Sequence, residues 1–97
     1  IMEEHISYIF KALHQAKMKV SVIQNSAISF SVCVDNKFDT LAELLGQLEG
    51  KFNVSVAEGV TLYTIRHATP EAIASVEEGK EVLLKQVMGA TVQIVTS

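Results

Sequence analysis

The sequence predicts an α+β fold, a ferredoxin-like βαββαβ sandwich with helices on one face of an antiparallel sheet, followed by a partial second unit. Three observations carry this. Two adjoining stretches between Met18 and Asp35 alternate apolar and polar residues with a period of two. Helix-periodic stretches with start and stop signals lie on either side of them. The order helix, strand, strand, helix, strand is then followed by strand, helix, strand over residues 60–96.

Ile6, Ile9, Phe10, Leu13 and Ala16 recur at helical spacing, with Glu3, Glu4, Lys11 and Gln15 outside the stripe. This predicts an amphipathic helix from Glu3 to Ala16. Acids at its start and Lys17 at its end suit the helix dipole. Val20 and Val22 then alternate with Lys19 and Ser21, and Ile28, Phe30, Val32 and Val34 with Ser29, Ser31 and Cys33. The pattern predicts a hairpin with one apolar face, turning at Gln24-Asn25-Ser26 and showing Ser21, Ser29, Ser31 and Cys33 on the other face. Thr40-Leu41-Ala42-Glu43 has capping-box spacing, Leu41, Leu44, Leu45 and Leu48 form a buried stripe, and Gly50 is placed to end that helix. Phe52, Val54 and Val56 predict a third strand.

After the Glu58-Gly59 turn, residues 60–66 predict a strand with apolar residues on both faces. Thr69-Pro70-Glu71 is a helix start. Ile73, Val76, Leu83 and Val87 extend one stripe that Gly79 interrupts, so a helix broken near Gly79 and ending at Gly89 is expected. A last strand covers 91–96. VLLKQ…TVQIVTS echoes IFKALHQ…KVSVIQNS, which suggests a duplication: residues 1–58 form a first unit without its first strand, and residues 59–97 a partial second one. That missing strand is central in the usual order. Either it lies upstream, or the strand at 60–66 fills the gap. The chain opens on Ile1 in mid-element, and a longer chain is expected.

A hydrophobic fraction of 48% with 20% charged residues, one Pro and five Gly is globular composition. The net charge of −3 builds no basic face for nucleic acid. No apolar run approaches the ~20 residues of a membrane span. A single cysteine excludes an internal disulfide and fits a reducing, cytoplasmic compartment.

His5, His14 and His67 lack ligand spacing and read as isolated polar or capping residues, with no metal site. Cys33 has no basic neighbour to activate it and reads as a small strand residue. No P-loop, Gly-rich phosphate cradle or nucleophile elbow is present, so no catalytic residues are expected. Gln24-Asn25-Ser26 has two readings of equal weight. It is a turn satisfying its own backbone, or a set of amide and hydroxyl groups suited to a zwitterionic amino acid.

KVSVIQNSAISFSVCVD, FNVSVAEGVTLYTIRH and the EEGKEVL segment together resemble the C-terminal regulatory region of aspartate kinases, over nearly the whole chain. The resemblance implies tandem ACT units that follow a kinase domain in the same chain. That domain phosphorylates aspartate with ATP and Mg in lysine, threonine and methionine biosynthesis, under feedback control by lysine or threonine. It implies a homodimer and an effector site along Met18, Lys19, Val20, Ser21, Gln24, Asn25, Ser26 and Ala27, with His5 and Ile6 contributing from the start of the first helix. Lysine-sensitive members carry an Asp where this chain has Ser21 and a Glu where it has Ala27. The loop glycine before the first helix is Glu4 here. Gln24 matches the glutamine of threonine-binding members, so threonine is the expected effector. The kinase motifs are absent, and the residues in hand are expected to be regulatory, with no cofactor of their own. The alternative is an ACT-like structural dimerisation module of another amino-acid enzyme, without a ligand. An RNA-binding ferredoxin-like domain ranks last, because the open sheet face carries Ser and Asn in place of aromatic residues.

Overall fold

The computed structural model describes residues 2–97; the expected mid-element opening at Ile1 lies outside them. The fold is α+β, with three helices and two small antiparallel sheets in an order consistent with a ferredoxin-like arrangement. The elements are α1 (Glu3–Gln15), β1 (Lys19–Asn25), β2 (Phe30–Asp35), α2 (Leu41–Leu48), β3 (Thr61–Ile65), α3 (Pro70–Glu77), β4 (Val82–Met88) and β5 (Thr91–Thr96). They divide into two compact units, Ile1–Val56 and Ala57–Ser97.

In the first unit, α1 buries Ile9, Ala12 and Leu13, and Ala16 is its C-cap. The helix closes as a Schellman motif. Met18 N–H donates to Leu13 O and Lys17 N–H to His14 O, each at 3.0 Å, with Lys17 left-handed at φ 56°. Leu13 and Met18, the apolar pair such a motif brings together, both lie in the core. The cap therefore sets where β1 begins.

β1 and β2 pair antiparallel, but the hairpin differs from expectation in two ways. Gln24 and Asn25 are ladder residues opposite Ser31 and Phe30, and the turn runs from Ser26 to Ser29. Ile28 lies in that turn, 95% exposed, and is not an inward strand residue. The ladder also skips Ser21, because Val20 faces Val34 while Val22 faces Cys33. This β-bulge puts Val20 on the helix-covered face with Phe30 and Val34, and Val22 on the opposite face with Cys33. A strict alternation would have put both valines inward.

The capping box at Thr40 does not form. Thr40 makes no side-chain cap; its hydroxyl donates to Ala16 O at 2.6 Å, tying the start of α2 to the end of α1. Asn36 takes the local role, its Oδ1 accepting from Thr40 N–H at 2.9 Å. α2 buries Leu44 and Leu48 and ends at Leu48, before Gly50. The third strand predicted over Phe52–Val56 is absent as a strand. Phe52 and Val54 pack against the core, yet among the described residues no strand pairs with the segment, and a strand exists only through its ladder.

In the second unit, Thr69 Oγ1 accepts from Ala72 N–H at 3.1 Å and caps α3 as the sequence predicts. The helix stops at Glu77, where Gly79 takes φ 71°. The expected continuation to Gly89 is instead β4, joined to β5 by a two-residue turn, Gly89-Ala90, with Gly89 at φ 60°. That is the position for which a II′ hairpin turn selects glycine. β5 lies in the middle, order β3-β5-β4, antiparallel to both neighbours. β3 pairs with β5 as an edge strand of this unit's own sheet. Tyr63, Ile94 and Lys85 share one row of this sheet. Their face is the one toward α3, since Lys85 pairs with Glu77 at 2.8 Å and Lys80 Nζ sits 5.3 Å from the Tyr63 ring centroid. Ile94 and Thr96 are fully buried on it.

The two units repeat one pattern: helix, bulged strand, strand. Ser21 follows the last residue of α1 by six positions, and Leu83, skipped by the β4–β5 ladder, follows the last residue of α3 by six. The echo predicted from VLLKQ against IFKALHQ is thus out of register, because the first lies in a strand and the second in a helix. The structural correspondence sets α3-β4-β5 against α1-β1-β2.

Candidate functional site

The expected effector residues divide into three groups. Met18 is buried as part of the helix-closing motif and Val20 is half-buried in the same core, so they offer backbone alone. His5 and Ile6 sit in the first turn of α1, about 100° apart around the helix axis. His5 stacks edge-on to Phe52 at 5.5 Å; Phe10, about 140° around from His5, stacks on Phe30 at 5.8 Å. His5 therefore faces the Phe52 flank of the helix, whereas Ile6 lies toward the hairpin flank. Lys19, Ser21, Gln24, Asn25, Ser26 and Ala27 form the third group, all exposed along β1 and its turn.

Ser26 organises the turn. Its Oγ accepts from Ser29 N–H at 3.0 Å and Ile28 N–H at 3.3 Å and lies 2.8 Å from Ser29 Oγ, while its N–H donates to Ser29 O at 2.9 Å. This is the self-satisfying turn of the sequence reading, centred on Ser26 and completed by Ser29, a residue the sequence reading placed in the strand. A serine repeated at a spacing of three was the available signal. Gln24 and Asn25 are neighbours in a strand and project to opposite faces. Asn25 lies beside Phe30 on the helix-covered face; Gln24 lies beside Ser31, on the face that also carries Val22 and Cys33.

That second face can hydrogen-bond next to the turn, and it carries charge only at its far end, in Lys19 and Asp35. It offers the Gln24 amide and the Ser31 hydroxyl, and partial burial raises the Cys33 thiol above its usual range, so it stays protonated and poorly nucleophilic. Lys19 faces Asp35 across the ladder, outside the turn. Among the described residues no cluster of His, Cys, Asp and Glu could hold a metal. A depression on α3 lined by Glu71, Ala74, Ser75, Glu77 and Glu78 is shallow and open, with the Glu77 carboxylate already paired to Lys85. His14 is an exposed residue of the last turn of α1, and His67 lies at the left-handed corner after β3 at φ 54°.

Comparison with protein-family models, curated proteins and solved structures gives no match.

Proposed function

We propose that this chain is the amino-acid-sensing and dimerising regulatory region of an aspartate kinase, acting in the cytoplasm on a kinase domain of the same polypeptide. The observation that carries the proposal is the repeated helix–bulged strand–strand pattern in two successive units, joined to the residue resemblance over nearly the whole chain. Two ferredoxin-like units in tandem are what that resemblance implies. The residues here act as sensor, and ATP and Mg belong to the kinase domain. The effector is a neutral hydroxylated amino acid, with threonine favoured over lysine. A lysine ammonium taken out of water needs a paired carboxylate. Ser21 and Ala27 cannot carry one, whereas the Gln24 amide and the Ser31 hydroxyl accept and donate hydrogen bonds.

A second reading is favoured by a specific observation. Gln24 and Asn25 project to opposite faces and the Ser26 hydroxyl is engaged within its own turn, which suits a structural dimerisation module without a ligand. Calorimetric titration separates the two. Saturable heat with threonine and none with lysine supports the sensor. Binding of lysine alone overturns the choice of effector, and silence from both supports the structural module.

A further inference from the structure

Three of the four phenylalanines are used inside the first unit: Phe30 and Phe52 pack against its core, and Phe10 stacks on Phe30. Phe38 is 56% exposed, in the turn between β2 and α2, and among the described residues it joins neither the core nor another ring. Two ammonium groups stand over it instead, Lys17 Nζ 5.9 Å and Lys37 Nζ 5.8 Å from the ring centroid. Lys51 and Lys80 also meet a ring, but their partners Tyr8 and Tyr63 are half-buried. The one ion pair among the described residues is Lys85 with Glu77, so Lys17 and Lys37 have no carboxylate partner there.

The ring is presented from a fixed backbone. Asp39 N–H donates to Asn36 O at 3.2 Å to close the turn, and Asn36 Oδ1 accepts from Thr40 N–H at 2.9 Å. The Thr40 hydroxyl donates to Ala16 O at 2.6 Å, which fixes the turn beside Lys17. Lys17 and Asp39 are both left-handed, at φ 56° and 54°, a conformation that costs any residue with a Cβ. An exposed cation–ring contact adds little to folding, so the core gains little from this arrangement. An aromatic anchor rimmed by cations and ordered before binding has the make-up of an interface hot spot.

We infer that this corner docks an acidic segment of a partner protein, with an apolar side chain against Phe38 and carboxylates on Lys17 and Lys37. A ring more than half exposed does not enclose a small ligand. An anionic membrane fits less well, because Asp39 follows Phe38 directly, the chain carries a net charge of −3, and such surfaces select clusters of about four or more basic residues. The docking corner goes beyond the effector reading and does not depend on it.

Selection of phage-displayed random linear peptides on the immobilised 97-residue chain, counter-selected on Phe38→Ala, tests the surface. Phe38 is exposed, so the variant should keep the parent's circular dichroism and melting. Enriched peptides should place Asp or Glu on both sides of an apolar residue. Their synthetic versions should bind Phe38→Ala about tenfold or more weakly. Binding should also weaken in Lys17→Gln and Lys37→Gln, and at high salt. Threonine titration should be unchanged in all three variants. Enrichment of basic or uncharged peptides, no enrichment over Phe38→Ala, or binding indifferent to the three substitutions overturns the inference. Phe38-dependent binding to phosphatidylserine vesicles without peptide binding overturns it in favour of a membrane. Phe38-dependent self-association in sedimentation overturns it in favour of a second copy.

Discussion

Replacing Leu13 with alanine probes the point at which α1, β1 and the core of the first unit are fixed together. Leu13 is 2% exposed, packs among Ile9, Ala16, Met18 and Leu44, and supplies the carbonyl that Met18 N–H closes upon. The substitution removes about three buried carbons, at about 0.8 kcal/mol each by transfer. A residual void of about 50 Å³ adds about 1.2 kcal/mol at ~24 cal/mol per Å³. The expected loss is therefore about 3–4 kcal/mol, a large part of the ~5–15 kcal/mol available to a domain. Urea unfolding followed by far-UV circular dichroism measures it. Ile28→Ala is the matched control, because Ile28 stands 95% exposed in the turn and should change stability by less than about 0.5 kcal/mol. A Leu13→Ala loss below about 1 kcal/mol, or an Ile28→Ala loss above about 2, would refute the packing and the turn assignment together.

Thr40→Val keeps the β-branched shape but removes the donor to Ala16 O, and should cost about 1–2 kcal/mol in the same melts; Glu43→Ala should be nearly neutral, since no capping box forms. In the second unit, Thr69→Ala should cost about 1 kcal/mol by leaving Ala72 N–H without its cap. Burial raises the folded-state pKa of Cys33 above the ordinary 9.0, so the stability that goes with a protonated thiol is complete below that value. It is lost as the pH rises through the raised folded value; alkaline melts should show this decline, Cys33→Ala should lessen it, and iodoacetamide should react more slowly with the folded than with the unfolded chain.

Much of the fold was legible because local signals and tertiary structure agree. The stripe Ile9–Leu13–Ala16, the Thr69-Pro70 start and the period-two run of β5 each name their element correctly. The misreadings share a cause. Leu83 and Val87 fit the helical stripe from Ile73 and Val76, but also a strand whose alternation is broken by a bulge at Leu83. Deciding between them required weighing Gly79 as a stop and Gly89-Ala90 as a hairpin turn. The bulge at Ser21 leaves no mark in the residue pattern and reverses the face of Val22. Thr40 has capping-box spacing, but its hydroxyl is taken by a carbonyl 24 residues away, which no local rule reports. Phe52–Val56 alternates as a strand should, and among the described residues no strand pairs with it, which is a non-local matter.

The geometry of the proposed site departs from the one its residue pattern suggests. Gln24 and Asn25 would converge as turn residues; as ladder residues they diverge, and the turn chemistry passes to Ser26 and Ser29. The absence of carboxylates at Ser21 and Ala27 is a matter of composition, so the preference for a neutral effector does not depend on which way those side chains point.

The sensor proposal is tested most directly by nitrogen–proton correlation spectra of the ¹⁵N-labelled chain during titration with threonine. Saturable shifts concentrated in residues 19–27 are expected, with Ser31 and the first turn of α1 following, and no comparable response to lysine. Unchanged spectra at millimolar threonine, or shifts confined to α3 and the second unit, would contradict it.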